Sequence, residues 1–165
     1  MNQLDINNIN RMSPYGVRIE DGEYWFHTDY DIVYAIEFEP EDVFDIAPAY
    51  WFGIANRSHK ASPNDPKVRA TIICIIEEFF RVNPDILLYM CDSADDQQSM
   101  RNRLFLRWFH GYEQQKLYVI RTALIMDEDT ETYVAIIVQK NNPLLETILE
   151  RFENQVGLFK EEKPL

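Results

Sequence analysis

The residues best suited to chemistry lie in one segment that follows an unbroken apolar run at residues 86–90. Cys91 and Asp92 come directly after this run, and Arg101 follows nine residues after Asp92. Strand ends of this kind are where open α/β sheets bind ligands. Cys91 is a candidate nucleophile, provided that Arg101 and a following helix N-terminus stabilise its thiolate. The competing interpretation is a buried, unreactive cysteine.

Arg101 falls near the middle of an apolar helical arc, where a charge cannot be left without an anion. One interpretation is a salt bridge to a protein carboxylate such as Asp92. The other is a pocket in which Arg101 holds the carboxylate or phosphate of a ligand by two parallel hydrogen bonds. A third is that the side chain reaches out to solvent. The candidate anion-binding residues of this segment are Cys91, Asp92, Arg101, Arg103, Arg107 and Trp108.

No metal site is expected. Asp92, Asp95 and Asp96 have the oxygen ligands that a divalent cation prefers, but acids at this position more often cap a helix and favour its dipole. The three histidines are far apart and have no partner at the spacing of zinc ligands.

Composition excludes several functional classes. A net charge of −12 opposes a general role in nucleic-acid binding, which depends on Lys and Arg neutralising phosphates. No stretch approaches the ~20 apolar residues that cross a bilayer. Two cysteines and no secretory signal predict a cytoplasmic protein, and the chain has no glycine-rich phosphate loop.

The acidic residues are unevenly distributed. Ten Asp and Glu residues, and no Lys or Arg, lie between Ile19 and Asn56. This pattern is typical of a solvated negative face, and the alternative is a docking surface for a protein with a basic surface.

Alternating apolar and polar residues predict a β-meander from Tyr15 to Phe38, and a fourth strand around residues 50–54. Asp65 as N-cap and Pro66 at the first helical position predict a helix that ends at Asn83-Pro84. A buried parallel strand at residues 86–90 and a helix from Ser93 to about Gly111 follow. A hairpin at residues 117–139 and a last helix from Asn142-Pro143, closed by Gly157, complete the chain.

These elements predict an α+β fold with a mixed, mostly antiparallel sheet of about six to seven strands and three helices, in the order βββ-β-α-β-α-ββ-α. The length of 165 residues predicts a single domain over residues 1–165, with loose termini at 1–12 and 160–165. The hairpin or the last helix either pairs across a homodimer or completes the core of a monomer.

The pattern of Tyr24, Phe26, Thr28, Tyr34 and Phe38, with the Cys91–Asp92 and Arg101–Phe109 segments, resembles a small bacterial family carried as a domain of unknown function. This resemblance brings no activity, substrate or catalytic residue.

The order of elements is also similar to the later part of GNAT-type acetyltransferases. The resemblance implies acetyl-coenzyme A between the fourth and fifth strands, with its pyrophosphate received by the loop before the central helix. Here that loop carries Arg57, His59 and Lys60 but no glycine.

The first hypothesis is therefore a non-catalytic binding or regulatory protein with no cofactor, acting on a basic protein surface or sensing a small anion. The second is a degenerate GNAT-like acyltransferase or coenzyme A binding protein.

Overall fold

The computed structural model describes residues 1–42, 44–92, 117–127 and 130–161. Seven strands form one sheet in the order β1-β2-β3-β4-β5-β7-β6, and the described ladders are antiparallel except for the parallel pair β4–β5. The predicted α+β class with a mixed, mostly antiparallel sheet is confirmed. The elements are α1 (Ile6–Met12), β1 (Val17–Glu20), β2 (Glu23–His27), β3 (Val33–Glu41), β4 (Ala49–Asn56), α2 (Pro66–Val82), β5 (Ile86–Asp92), β6 (Tyr118–Asp127), β7 (Thr130–Gln139) and α3 (Leu145–Glu161).

The chain divides into two compact units. Unit 1 comprises Met1–Glu39 and Phe52–Pro84, and unit 2 comprises Pro40–Trp51 and Asp85–Leu165. The single domain expected from the chain length stays a prediction.

In unit 1 a two-residue turn joins β1 to β2. Asp21 and Gly22 both have positive φ, 53° and 78°, which is the backbone that a tight hairpin turn of this length requires. The register pairs Glu20 with Glu23 and Arg18 with Trp25. The Asp21-Gly22 turn therefore fixes the register of β1 and β2, and with it which residues share a face of the sheet.

The core of unit 1 is aromatic. Tyr24, Phe26 and Tyr34 are buried on one face of β2 and β3, and Phe26 and Tyr34 stack with 5.4 Å between ring centroids. Phe38 stacks on Phe79 of α2 at 5.1 Å and 9° between ring planes. Helix α2 therefore covers this face of the meander.

The predicted start and end of α2 are confirmed. Asp65 caps the helix by accepting the backbone N–H of Lys67 at 3.0 Å, Pro66 is its first residue, and Asn83 is its C-cap. The predicted parallel pairing after this helix is also confirmed, since Ala49, Tyr50 and Trp51 of β4 lie opposite Ile86, Leu87 and Leu88 of β5.

Unit 2 has its own core, in which side chains of β5 and β7 pack with Ile148 and Phe152 of α3. The predicted hairpin is confirmed as β6 and β7, in register from Tyr118 opposite Gln139 to Asp127 opposite Thr130. The end predicted for the last helix was wrong, because α3 continues through Gly157 to Glu161. A single glycine lowers helix stability by only about 1 kcal/mol and does not by itself end a helix.

The N-terminal segment, expected to be loose, contains α1. Leu4 and Ile9 are buried, and the backbone N–H of Asn2 donates to Asn83 Oδ1 at 2.7 Å. Side-chain contacts with α2 therefore hold this segment in place. The helix predicted from Ser93, and residues 162–165 of the expected C-terminal tail, lie outside the described residues.

Candidate functional site

The structure places only part of the predicted anion site. Cys91 and Asp92 are the last two residues of β5, as expected for residues at a strand end. Arg101, Arg103, Arg107 and Trp108 lie outside the described residues. Their role stays a prediction.

The loop between β4 and α2 carries the residues proposed for coenzyme A, and two of its cations have carboxylate partners in unit 1. The guanidinium of Arg57 donates to both carboxylate oxygens of Glu23, at 3.1 and 3.2 Å. Lys60 Nζ lies 3.1 Å from Asp31 Oδ2. His59 is exposed and has a positive φ of 53°. A phosphate would therefore compete with protein carboxylates for Arg57 and Lys60.

A carboxylate also fills the N-terminus of α2. Asp65 accepts the backbone N–H of Lys67 and, at 2.5 Å, the hydroxyl of Tyr15. Burial and this hydrogen bond raise the pKa of Tyr15 to about 12, so its hydroxyl stays protonated and donates. A helix N-terminus attracts anions through its free N–H groups, and here Asp65 supplies the anion.

The turn between β2 and β3 is balanced in charge. Lys67 Nζ lies 2.8 Å from Asp29 Oδ2, and the hydrogen bond lowers the pKa of Asp29 and raises that of Lys67. Hydrogen bonds from Lys60, and then from His27, lower the pKa of Asp31. These two acidic residues therefore carry little charge that is free to attract a partner.

The face of the unit 1 strands opposite the aromatic core presents a different surface. Residues directly opposite on paired strands share a face, so Arg18, Trp25 and Ala35 line up across β1, β2 and β3. Alternation places Glu37 and Glu39 on the same side. We call this surface the outer sheet face: Arg18, Glu20, Glu23, Trp25, Glu37, Glu39, Gly53 and Arg57.

Trp25 lies at the centre of the outer sheet face between two arginines. The guanidinium carbons of Arg18 and Arg57 lie 5.8 and 5.6 Å from the centroid of its ring, within the range of cation–π attraction. Each arginine also binds a neighbouring carboxylate, Glu20 at 3.3 Å and Glu23 at 3.1 Å. The indole Nε1 is buried and has no hydrogen-bond acceptor within the described ranges.

Glu37 and Glu39 differ from the other acidic residues of this face. Neither has an ion pair or a side-chain hydrogen bond to any described residue, whereas Glu20 and Glu23 each bind an arginine. The half-buried side chain of Glu37 lies across Gly53, where an added Cβ would come within 3.0 Å of its Cγ and Oε1. The absence of a side chain at Gly53 therefore leaves room for the Glu37 carboxylate.

Trp25 does not belong to the aromatic core of unit 1, although it lies within the same run of aromatic residues. Tyr24, Phe26, Tyr34 and Phe38 lie on the core face, and Trp25 lies on the opposite one. The alternation of side chains along β2 predicts this position, because Trp25 lies between two core residues. The contact between Trp25 and Arg57 could not be predicted from a local pattern, since the two residues are distant in sequence.

Two features are absent from the residues that the structure describes. Within the part of the chain that the structure describes, no three His, Cys, Asp or Glu residues are grouped to hold a metal ion. Among the same residues, no helix has the length and apolar character needed to span a bilayer.

Comparison with known proteins identifies a family. No curated protein and no solved structure matches the chain significantly. A family of unknown function, DUF6169, matches residues 64–154, from the N-terminal cap of α2 to the middle of α3. This range covers more than half of the chain and confirms the expected membership of an uncharacterised family. The protein belongs to the DUF6169 family of unknown function.

Proposed function

We propose that this protein is a non-catalytic binding module whose outer sheet face binds a protein with a basic surface. The observation that carries the proposal is the pair Glu37 and Glu39, two carboxylates on one face with no cation bound to either among the described residues. A cationic partner would supply the missing charges. Potentials of opposite sign mainly accelerate association and select the partner.

Trp25 gives the same face an aromatic centre. Aromatic residues and arginines are enriched where protein interfaces carry most of their binding energy. Arg18 and Arg57 stack on Trp25 and are held by Glu20 and Glu23, so their charges are already compensated. The face therefore presents uncompensated negative charge beside a flat aromatic group, which suits a basic segment with apolar stems.

The first prediction tests this charge directly. A fluorescently labelled oligo-arginine peptide is titrated with the protein at low ionic strength, and binding is followed by fluorescence anisotropy. We expect the double variant Glu37→Gln/Glu39→Gln to bind about tenfold more weakly, because it loses the attraction between two carboxylates and the cationic peptide. A tenfold change in affinity corresponds to about 1.4 kcal/mol.

Net charge alone could attract such a peptide, so the control removes the same charge elsewhere. Glu150 and Glu153 are exposed on α3 in unit 2. The variant Glu150→Gln/Glu153→Gln removes the same net charge without changing the outer sheet face, and it is expected to change the affinity less than about twofold, since it leaves the carboxylates proposed to bind the peptide in place. Equal weakening by both double variants, or no binding at all, would refute the proposal.

The second candidate function is an acyltransferase or coenzyme A binding protein. One observation favours it: β4 and β5 pair in parallel, and α2 connects them along the chain. This order matches the one expected of a GNAT-like protein. The occupied N-terminus of α2 and the paired Arg57 and Lys60 oppose it.

A thermal-shift experiment separates the two functions. A ligand at ~100 times its dissociation constant adds roughly 2.7 kcal/mol, which raises the melting temperature of a domain of this size by about 5–10 °C. We expect acetyl-coenzyme A and coenzyme A to leave the melting temperature unchanged. A shift that Lys60→Ala abolishes would favour the acyltransferase. A shift with phosphate or a dicarboxylate that Arg101→Ala abolishes would favour an anion sensor.

A further inference from the structure

The two edge strands of the sheet are built differently. β1, at one edge, has four residues, and the side chain of Asn10 occupies the backbone groups of the first of them, Val17. Asn10 Nδ2 donates to the carbonyl of Val17 at 2.9 Å, and its Oδ1 accepts the N–H of Val17 at 2.8 Å. A short edge with a capped residue is a poor template for another strand.

β6, at the other edge of the sheet, has ten residues and pairs with β7 along its whole length without a bulge. Among the described residues no other strand pairs with it. The N–H of Lys140 donates to the carbonyl of Leu117 at 2.9 Å, and these two residues lie opposite each other in the same register. In an antiparallel ladder hydrogen-bonded pairs alternate with non-bonded ones. The backbone groups of Ile120, Thr122, Leu124 and Met126 therefore point away from β7.

The sequence of β6 gives this edge little protection. The strand contains neither proline nor lysine, the residues with which proteins commonly block an edge. Arg121 and Thr122 are exposed, and the guanidinium of Arg121 donates to the outward carbonyl of Ile120 at 3.1 Å. A donor can therefore reach this carbonyl from outside the sheet.

We propose that β6 pairs with β6 of a second copy of this chain, antiparallel about a two-fold axis at Leu124. This register places the outward groups of Thr122 opposite those of Met126 in the other copy, so they form hydrogen-bonded pairs. It also places Arg121 opposite Asp127 on both sides of the axis. An axis at Thr122 would instead bring the two Arg121 residues close together on one face, and like charges at facing positions are unfavourable.

The test is the mass of the protein in solution, measured by analytical ultracentrifugation over a wide concentration range. The wild type is expected to be a dimer at high concentration. Arg121→Asp and Asp127→Arg are each expected to weaken the dimer about tenfold, and the double variant is expected to restore it, because exchanging the charges recreates the opposite pairs.

A proline pair tests the backbone geometry without relying on charge. Thr122→Pro removes an N–H that points away from β7, so the monomer should stay folded while the dimer is lost. Ala123→Pro removes an N–H that points toward β7 and should lower the melting temperature. A monomeric wild type at every concentration overturns the proposal, as does a dimer that neither single charge reversal weakens.

Discussion

Replacing Phe79 with alanine is expected to lower the free energy of unfolding by about 4 kcal/mol. Phe79 is fully buried in α2, where it stacks on Phe38 and contacts Phe80 edge to face at 5.1 Å. Removing a buried phenylalanine ring costs about 3–5 kcal/mol, and the cost is greatest where neighbours cannot collapse into the cavity. The rigid rings around Phe79 leave little freedom to fill it.

Denaturant unfolding followed by circular dichroism measures this loss. Tyr30 provides the control, since it is 55% exposed in the turn between β2 and β3. Tyr30→Ala is expected to change the free energy of unfolding by no more than about 0.5 kcal/mol. If Phe79→Ala and Tyr30→Ala have similar effects, the aromatic stack is not the core of unit 1.

Local signals were sufficient for most elements. Helix α2 could be predicted because Asp65 and Pro66 mark its start and Asn83-Pro84 its end, and the structure uses the same residues. The β1–β2 turn and the β6–β7 hairpin likewise depend on short sequence patterns. These signals act within a few residues, so one sequence contains them completely.

Helix α1 could not be predicted in this way. It has seven residues and a largely polar sequence, and an isolated helix of this length is unstable in water. Its order depends on residues about 70–80 positions away, since Asn8 Nδ2 donates to the Glu78 carboxylate and Asn2 bonds to Asn83. Contacts over such a distance leave no local pattern.

The same limit applies to the candidate site. Sequence alone identified Arg57 and Lys60 as available cations, but strand pairing brings Glu23 and Asp31 to them. It also identified an excess of acidic residues between Ile19 and Asn56 without showing which are balanced. Strand pairing determines which of these acidic residues have a cationic partner. Glu37 and Glu39 have none in the described part of the chain.

Glu78 is the charged residue that connects α1 to α2. Its side chain is 1% exposed. The carboxylate accepts hydrogen bonds from Arg81 Nε at 2.9 Å, from the backbone N–H of Asp5 at 3.4 Å and from Asn8 Nδ2. Burial raises the pKa of Glu78, but the hydrogen bonds from Arg81, Asn8 and Asp5 together outweigh it and lower the pKa below its ordinary value.

Replacing Glu78 with alanine is therefore expected to lower the free energy of unfolding by about 3 kcal/mol at neutral pH, because partly buried donors on α1 lose a charged acceptor. Glu78→Gln keeps one acceptor oxygen and is expected to lose less. Glu77→Ala makes the same chemical change at the adjacent, exposed position and should cost no more than about 1 kcal/mol, since interactions of exposed charges contribute little to stability.

The pH dependence distinguishes this carboxylate from a residue that only fills space. Because the pKa of Glu78 is lower in the folded state than in the unfolded state, its stabilising contribution is complete above the unfolded value and is lost as pH falls through the folded value. The difference in free energy of unfolding between wild type and Glu78→Ala should therefore be constant near neutral pH and shrink in acid. A difference that stays constant into acid would mean that Glu78 stabilises α1 through packing, and its ionised carboxylate would then have no part in holding the helix.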